Sequence, residues 1–184
     1  METISVKDVM VSVSEYATVS KEATMYDACM ALEKAQKEFD RTRYRHRAIL
    51  VYDENRKIVG KVSQLDILRA LEPKYEQIGV PRSTAHNPFT RQFMKSLFRQ
   101  FKLWDKPLDA ICRKAGQIKV KDFMYSPGEG EYVEEDTSLN EAIHQLIIGH
   151  HQSLLVVREK EITGILRLTD VFSDVSNRVK ACKV

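Results

Sequence analysis

Cysteine is scarce, with Cys29, Cys112 and Cys182 the only three in 184 residues. They lie far apart, form no Cys-x-x-Cys pair and leave one thiol unpaired in any disulfide scheme, so they read as reduced, structural residues. No apolar run approaches the roughly 18 residues that a membrane-spanning helix needs. Met1-Glu2-Thr3 also lacks the basic-then-apolar order of a secretory leader. The expectation is a soluble, cytoplasmic protein. A net charge of +3 is too small to imply a nucleic-acid partner. Walker loops and Rossmann fingerprints are absent, and Cys112 has no activating neighbour. His144, His150 and His151 hint at a metal site, but Gly149 interrupts their helix and no cysteine or paired acid lies nearby, so none is expected. These absences argue against an enzyme.

With 43% apolar residues the chain can bury a real core. Its main feature is duplication. Val6-Lys7-Asp8-Val9-Met10 returns as Val120-Lys121-Asp122-Phe123-Met124, and Met25, Ala28, Cys29 and Leu32 are answered by Leu139, Ala142, Ile143 and Leu146. After one gap, Ile49-Leu50-Val51 and Ile58-Val59-Gly60 are matched by Leu154-Leu155-Val156 and Ile162-Thr163-Gly164. An aspartate follows each glycine six residues later, Asp66 and Asp170. A unit of about 60 residues buries too little surface to be comfortable alone, whereas two related units can share an interface. The groove between copies is the natural place for a ligand.

Each copy reads as short strand, helix, strand, turn, strand, helix. In the first, Thr24 caps a helix with apolar positions at Met25, Ala28, Cys29, Leu32, Ala35 and Phe39. The run 48–52 is a buried strand, Asp53 to Arg56 a turn and 57–62 its partner; Ser63 then opens a helix that Pro73 ends. In the second, Ser138 caps a helix over 139–148 with Gly149 as a stop. Strands at 154–157 and 162–166 flank Arg158-Glu159-Lys160, and a last helix runs from Leu168 through Val179. Gln36 to Tyr44 has no counterpart and is expected as a longer helix or loop. This divides the chain into 1–73, 74–117 and 118–184. The middle segment begins as loop, with Pro73, Gly79, Pro81 and Pro88. Phe89, Phe93, Leu97, Phe101, Trp104 and Leu108 then line one face of a predicted amphipathic helix that Pro107 kinks or ends. Between Arg82 and Gln117, Arg82, Arg91, Lys95, Arg99, Lys102, Lys106, Arg113 and Lys114 face only Asp105 and Asp109.

Val-Lys-Asp-Val-Met, the order of elements and Gly60-Lys61-Val62-Ser63-Gln64-Leu65-Asp66 together resemble a tandem pair of CBS domains, the repeats that form a Bateman module. The last resembles the family's Gly-x-x-Ser/Thr-x-x-Asp signature. The resemblance covers about residues 4–72 and 118–177. It implies a mixed α/β (α+β) fold, two β-α-β-β-α repeats in a pseudo-two-fold pair with a helical insert between them. It also implies a regulatory module that binds an adenine nucleotide (AMP, ADP or ATP) or S-adenosylmethionine between the repeats. The residues make chemical sense of this. Ser63 ends a strand and starts a helix, so its hydroxyl and the free N–H groups of the next turn can meet a phosphate. Asp66 shares that face and can accept from the two hydroxyls of a ribose. The same pair can equally form a capping box without a ligand. In the second copy Arg167 replaces the hydroxyl beside Asp170, a departure from the family that puts ordinary phosphate contacts in doubt, although a guanidinium can grip phosphate bidentately.

The resemblance further implies phosphate contacts at the foot of each second strand, at His46 and Arg47 and at His151 and Gln152. It places adenine on apolar walls, nominating Ala17, Val19, Val62, Tyr132, Val133 and Leu166, all of which also serve as core positions. Two clefts follow from the symmetry, Ser63 and Asp66 facing Tyr132, and Arg167 and Asp170 facing Ala17. Gly128-Glu129-Gly130-Glu131 adds negative charge beside the first and would favour adenosine or a monophosphate over a triphosphate. Three functions stand open: a nucleotide sensor read by an effector protein, a ligand-free interaction scaffold using the aromatic-basic insert, and contact of that insert with nucleic acid or an anionic membrane. The family resemblance adds a homodimer formed through the repeat helices.

Overall fold

The structure is a computed structural model that describes residues 4–38, 47–78 and 89–182. Among the described residues, seven strands form two sheets. β2 (Thr18–Ser20), β3 (Ala48–Tyr52) and β4 (Ile58–Ser63) make one, in that order. β5 (Tyr132–Glu134), β6 (Ser153–Arg158) and β7 (Glu161–Arg167) make the other, and β1 (Val11–Ser12) joins it beside β7. In each repeat a parallel pair is followed by an antiparallel hairpin, β2 with β3 and β3 with β4, then β5 with β6 and β6 with β7. The helices are α1 (Met25–Glu38) and α2 (Gln64–Ala70) in the first repeat, α3 (Arg91–Gln100) and α4 (Leu108–Ala115) in the insert, and α5 (Leu139–Ile148) and α6 (Leu168–Ala181) in the second repeat. The expected fold class and strand-helix order are therefore present. Of the unmatched stretch from Gln36 to Tyr44, the part beyond Glu38 lies outside the described residues.

The central strands are apolar because both their faces are covered. Ile49, Leu50 and Val51 of β3 are fully buried, as are Leu154 and Val156 of β6. Ile49 and Val51 pack with α1 through Met25, Ala28 and Leu32. Leu154 and Val156 pack with α5 through Leu139, Ala142 and Leu146. Leu50 and Leu155, which occupy corresponding places, join Val11, Tyr16 and Ile165 in a third cluster at the seam between the sheets.

The duplicated Val-Lys-Asp segments do not serve the repeats they introduce. Val6 donates its amide to Thr137 O at 2.9 Å and Ile4 O accepts from Leu139 N at 2.8 Å, so the first segment is fixed to the second repeat. Val120 N donates to Ala23 O and Met25 N to Ile118 O, both at 2.8 Å, fixing the second segment to the first repeat. The apolar side chains follow, Val6 into the second core and Val120 and Phe123 into the first. Each segment then runs beside the other repeat's last strand: Val11 opposite Ile165, and Tyr125 opposite Lys61. That contact explains the repeated glycine. A Cβ on Gly60 would lie 2.7 Å from Tyr125 O, and one on Gly164 2.7 Å from Val11 O, too close for any side chain.

The insert departs from the single long helix that its periodicity predicts. α3 ends at Gln100, well before Pro107, and the chain turns through Lys102 (φ 48°) and Trp104 (φ 56°), a left-handed conformation uncommon outside glycine. Tertiary contacts hold this turn. Leu103 is 5% exposed, Trp104 N donates to Glu72 Oε2 at 2.7 Å, and Lys74 Nζ donates to Lys102 O at 2.8 Å. Pro107 instead stands at the N-cap of α4, where its missing N–H costs nothing.

Candidate functional site

A cavity of about 350 Å³ opens at the seam where the ends of β4 and β7 meet the starts of α2 and α6. Ser63 and Asp66 border it from the first repeat and Arg167 from the second. The strand-to-helix corner that presents them is built alike in both copies. Gln64 N donates to Arg47 O at 3.1 Å, and Leu168 N donates to Gln152 O at 3.0 Å, so the residue before each central strand closes off the first turn of the following helix. Arg47, His151 and Gln152 reach the cavity for this reason.

The two corners then differ. Ser63 and Asp66 form a complete capping box: Ser63 N and Oγ donate to Asp66 Oδ2 at 2.9 and 2.6 Å, and Asp66 N donates back to Ser63 Oγ at 3.2 Å. Thr24 and Asp27 repeat this arrangement at the start of α1, away from the cavity. Ser-x-x-Asp is thus a helix-starting device here whether or not it also meets a ligand. In the second copy Arg167 Nε and Nη2 donate to Asp170 Oδ2 and Oδ1 at 2.5 and 2.6 Å, with 5% and 8% of the two residues exposed. This pair is bidentate and buried, and Asp170 lies behind Arg167 without lining the cavity.

Of the remaining expected residues, His46 lies outside the described residues. Ala17, Val19, Val62, Tyr132, Val133 and Leu166 do not line this cavity. Val19 and Val62 belong to the first core and Ala17 packs against it; Val133 and Leu166 belong to the second, and Tyr132 packs on the seam cluster. Ser63 and Arg167 border one cavity together, where symmetry predicts separate clefts for them.

Several lining groups were not singled out from the sequence. Lys61 Nζ donates to Glu131 Oε2 at 2.7 Å and to Ser153 Oγ at 3.3 Å, and lies 5.3 Å from the centre of the Tyr125 ring. The Tyr125 hydroxyl donates to Glu131 Oε1 in a short hydrogen bond. Burial pushes the Glu131 carboxyl up, but the bonds from Lys61 and Tyr125 outweigh it and hold it below its ordinary value. The expected negative charge beside the first cleft is present at Glu131, and Lys61 offsets it. Tyr16, on the other wall, has its phenol pushed up to about 12, mainly by burial, so it stays a neutral hydroxyl at any physiological pH. Tyr125 follows directly on the repeated Val-Lys-Asp-Phe-Met, and Lys61 stands inside the Gly-x-x-Ser motif; those positions were the available signal. Their meeting depends on the exchange of opening segments, which no local pattern encodes.

The cavity combines cations (Arg47, Lys61, Arg167), hydroxyls (Ser63, Tyr16, Thr169), one accessible carboxylate (Asp66) and the flat or apolar surfaces of Tyr125 and Leu65. Such a set can hold an anion and a vicinal diol at once. Among the described residues no helix is long and apolar enough to cross a membrane.

The family model for the CBS domain matches residues 6–73 and 120–177, more than half of the chain. No match was found among curated proteins. Solved structures of similar fold include a putative acetoin utilization protein (AcuB) from Vibrio cholerae, 18% identical with a TM-score of 0.61, covering 97% of this chain and 95% of that one. CBSX2 in complex with AMP is 20% identical with a TM-score of 0.57, covering 96% and 98%. The CBS domain of a bacterial CNNM/CorC family Mg2+ transporter in complex with ATP is 17% identical with a TM-score of 0.59, covering 94% and 87%. At these identities the likeness is one of fold.

Proposed function

The chain belongs to the CBS-domain family as a tandem pair, and on that premise we propose that it is a non-catalytic regulatory module whose seam cavity binds an adenine nucleotide. The observation that carries this reading is the convergence of Ser63, Asp66 and Arg47 from one repeat with Arg167, His151 and Gln152 from the other around one space. Similar folds solved in complex with AMP and with ATP support the ligand class. Asp66 Oδ2 exchanges its bonds from Ser63 for the ribose hydroxyls. Arg47 and Arg167 meet the phosphate, to which a guanidinium offers paired donors. Lys61 is engaged by Glu131, and Nε and Nη2 of Arg167 by Asp170, which leaves Arg47 and the outer edge of Arg167 for phosphate and suits a monophosphate better than a triphosphate.

Calorimetric titration with AMP, ADP, ATP and S-adenosylmethionine tests the proposal. AMP is expected to bind most tightly, and Asp66→Ala to weaken it about tenfold while the protein stays folded. No heat with any of the four at millimolar concentration would remove the reading.

A second reading, assembly of two copies through the helices, is supported by α6. Leu168, Phe172, Val175 and Val179 recur at spacings of four, three and four and all lie exposed, the pattern of a helix-pairing seam. Light scattering on the protein and on Phe172→Glu tests it, with a dimer expected for the first and a monomer for the second.

A further inference from the structure

A separate groove of about 570 Å³ lies between α2 and the insert. Leu65 and Leu68 line it from α2, Met94 and Phe98 from α3, and Leu103 and Trp104 from the turn that follows. The turn is firmly held. Besides the bond from Trp104 N to Glu72, Trp104 Nε1 donates to Tyr75 Oη at 3.0 Å. Size and character match a small-molecule site, which is typically a few hundred cubic ångströms, mostly apolar, with a few placed polar groups.

Arg69 is the one charged residue lining the groove, half-buried and in no ion pair among the described residues. Next to Met94 and Phe98, α3 carries Arg91, Lys95 and Arg99 at intervals of four, and no acid. The nearby Glu72 carboxylate is taken up by the amides of Trp104 and Lys74. A guanidinium partly withdrawn from water beside an apolar surface, in no ion pair and with more cations nearby, favours an anionic guest. We propose that this groove binds a single-chain amphiphile with an anionic head, of the fatty-acid class. Its hydrocarbon chain lies along Leu68, Met94 and Phe98 against the Trp104 indole, and its carboxylate pairs with Arg69. The concavity favours one chain over a bilayer surface, which would meet the convex side of an amphipathic helix.

Trp104 is the sole tryptophan, so its emission reads the groove directly. Titrating dodecanoate below its micelle-forming concentration is expected to give a saturable shift of emission to shorter wavelength. Dodecyltrimethylammonium, with the same chain and the opposite head, is expected to bind about tenfold more weakly. Arg69→Gln should erase that preference, and Leu68→Gln, at a position already 56% exposed, should weaken both ligands without unfolding the protein. An unsaturable or absent shift, equal affinity for both heads, or an Arg69→Gln protein that still prefers dodecanoate would each overturn the proposal. Attachment to phosphatidylglycerol vesicles with no response to free dodecanoate would assign the face to a bilayer. A dimer that Leu68→Gln dissociates, again with no response to dodecanoate, would assign it to a second copy.

Discussion

Ser63 with Asp66 and Arg167 with Asp170 occupy the same corner of two related repeats and solve it in opposite ways. The first pair is half-exposed, built from a hydroxyl and one carboxylate oxygen, and can be undone at small cost. The second is a bidentate ion pair sealed in the fold, which a ligand can address only through the outer face of the guanidinium. Duplication therefore preserved a location and not a chemistry. One corner is equipped to exchange partners, the other to hold its shape.

Removing one member from each pair gives the largest expected contrast. Arg167→Ala leaves Asp170 buried without a partner and should cost about 3–5 kcal/mol in urea unfolding. Ser63→Ala loses only a cap, about 1 kcal/mol. Equal losses would dissolve the distinction. The glycines test where the repeats remain alike. Gly60→Ala and Gly164→Ala press a Cβ onto the carbonyls of Tyr125 and Val11 respectively, and each should cost about 1–3 kcal/mol, with similar shifts in Tm. If only one of the two is costly, one of the crossing contacts is dispensable.

For Asp66→Asn and Asp170→Asn, calorimetry with AMP should show about a tenfold loss for the first. The second should act mainly on stability, since Asp170 does not line the cavity. The smallest effect concerns acid. The Glu131 carboxyl is held below its ordinary value near 4.5 when folded, so its contribution is present above that pH and lost as pH falls through the lower folded value. Glu131→Gln should flatten that part of the stability profile, with urea midpoints between pH 3 and 6 as the measurement.

Much of the fold was legible because burial imposes patterns on the sequence. Ile49-Leu50-Val51 and Leu154-Leu155-Val156 read as central strands since both faces are covered, and Met25, Ala28 and Leu32 kept helical spacing since one face is. The corner residues Ser63 and Arg167 were legible for the same local reason, a strand ending where a helix begins. Lys61, Tyr125 and Glu131 were harder, because their grouping joins residues 61 and 131 through a segment whose destination is the other repeat. The insert misled in a different way. Phe101, Trp104 and Leu108 continue the helical rhythm, but Leu103 and the Glu72 carboxylate draw the backbone into a turn that the rhythm alone cannot foresee. Val62 and Leu166, nominated from the resemblance as adenine walls and also as core positions, sit in the two cores, because strand residues alternate and these point inward.

Cutting the chain after residue 73 would leave each leading peptide on the wrong fragment. The N-terminal piece would carry the Val6 wedge that the other piece lacks, and the C-terminal piece would carry Val120 and Phe123 that complete the first. Mixed together, the fragments should complement one another; kept apart, either could fill its vacancy only by trading arms with a sister molecule. By the same geometry, a one-repeat ancestor would have lived as a reciprocal pair, and gene fusion would have turned that trade into an internal one.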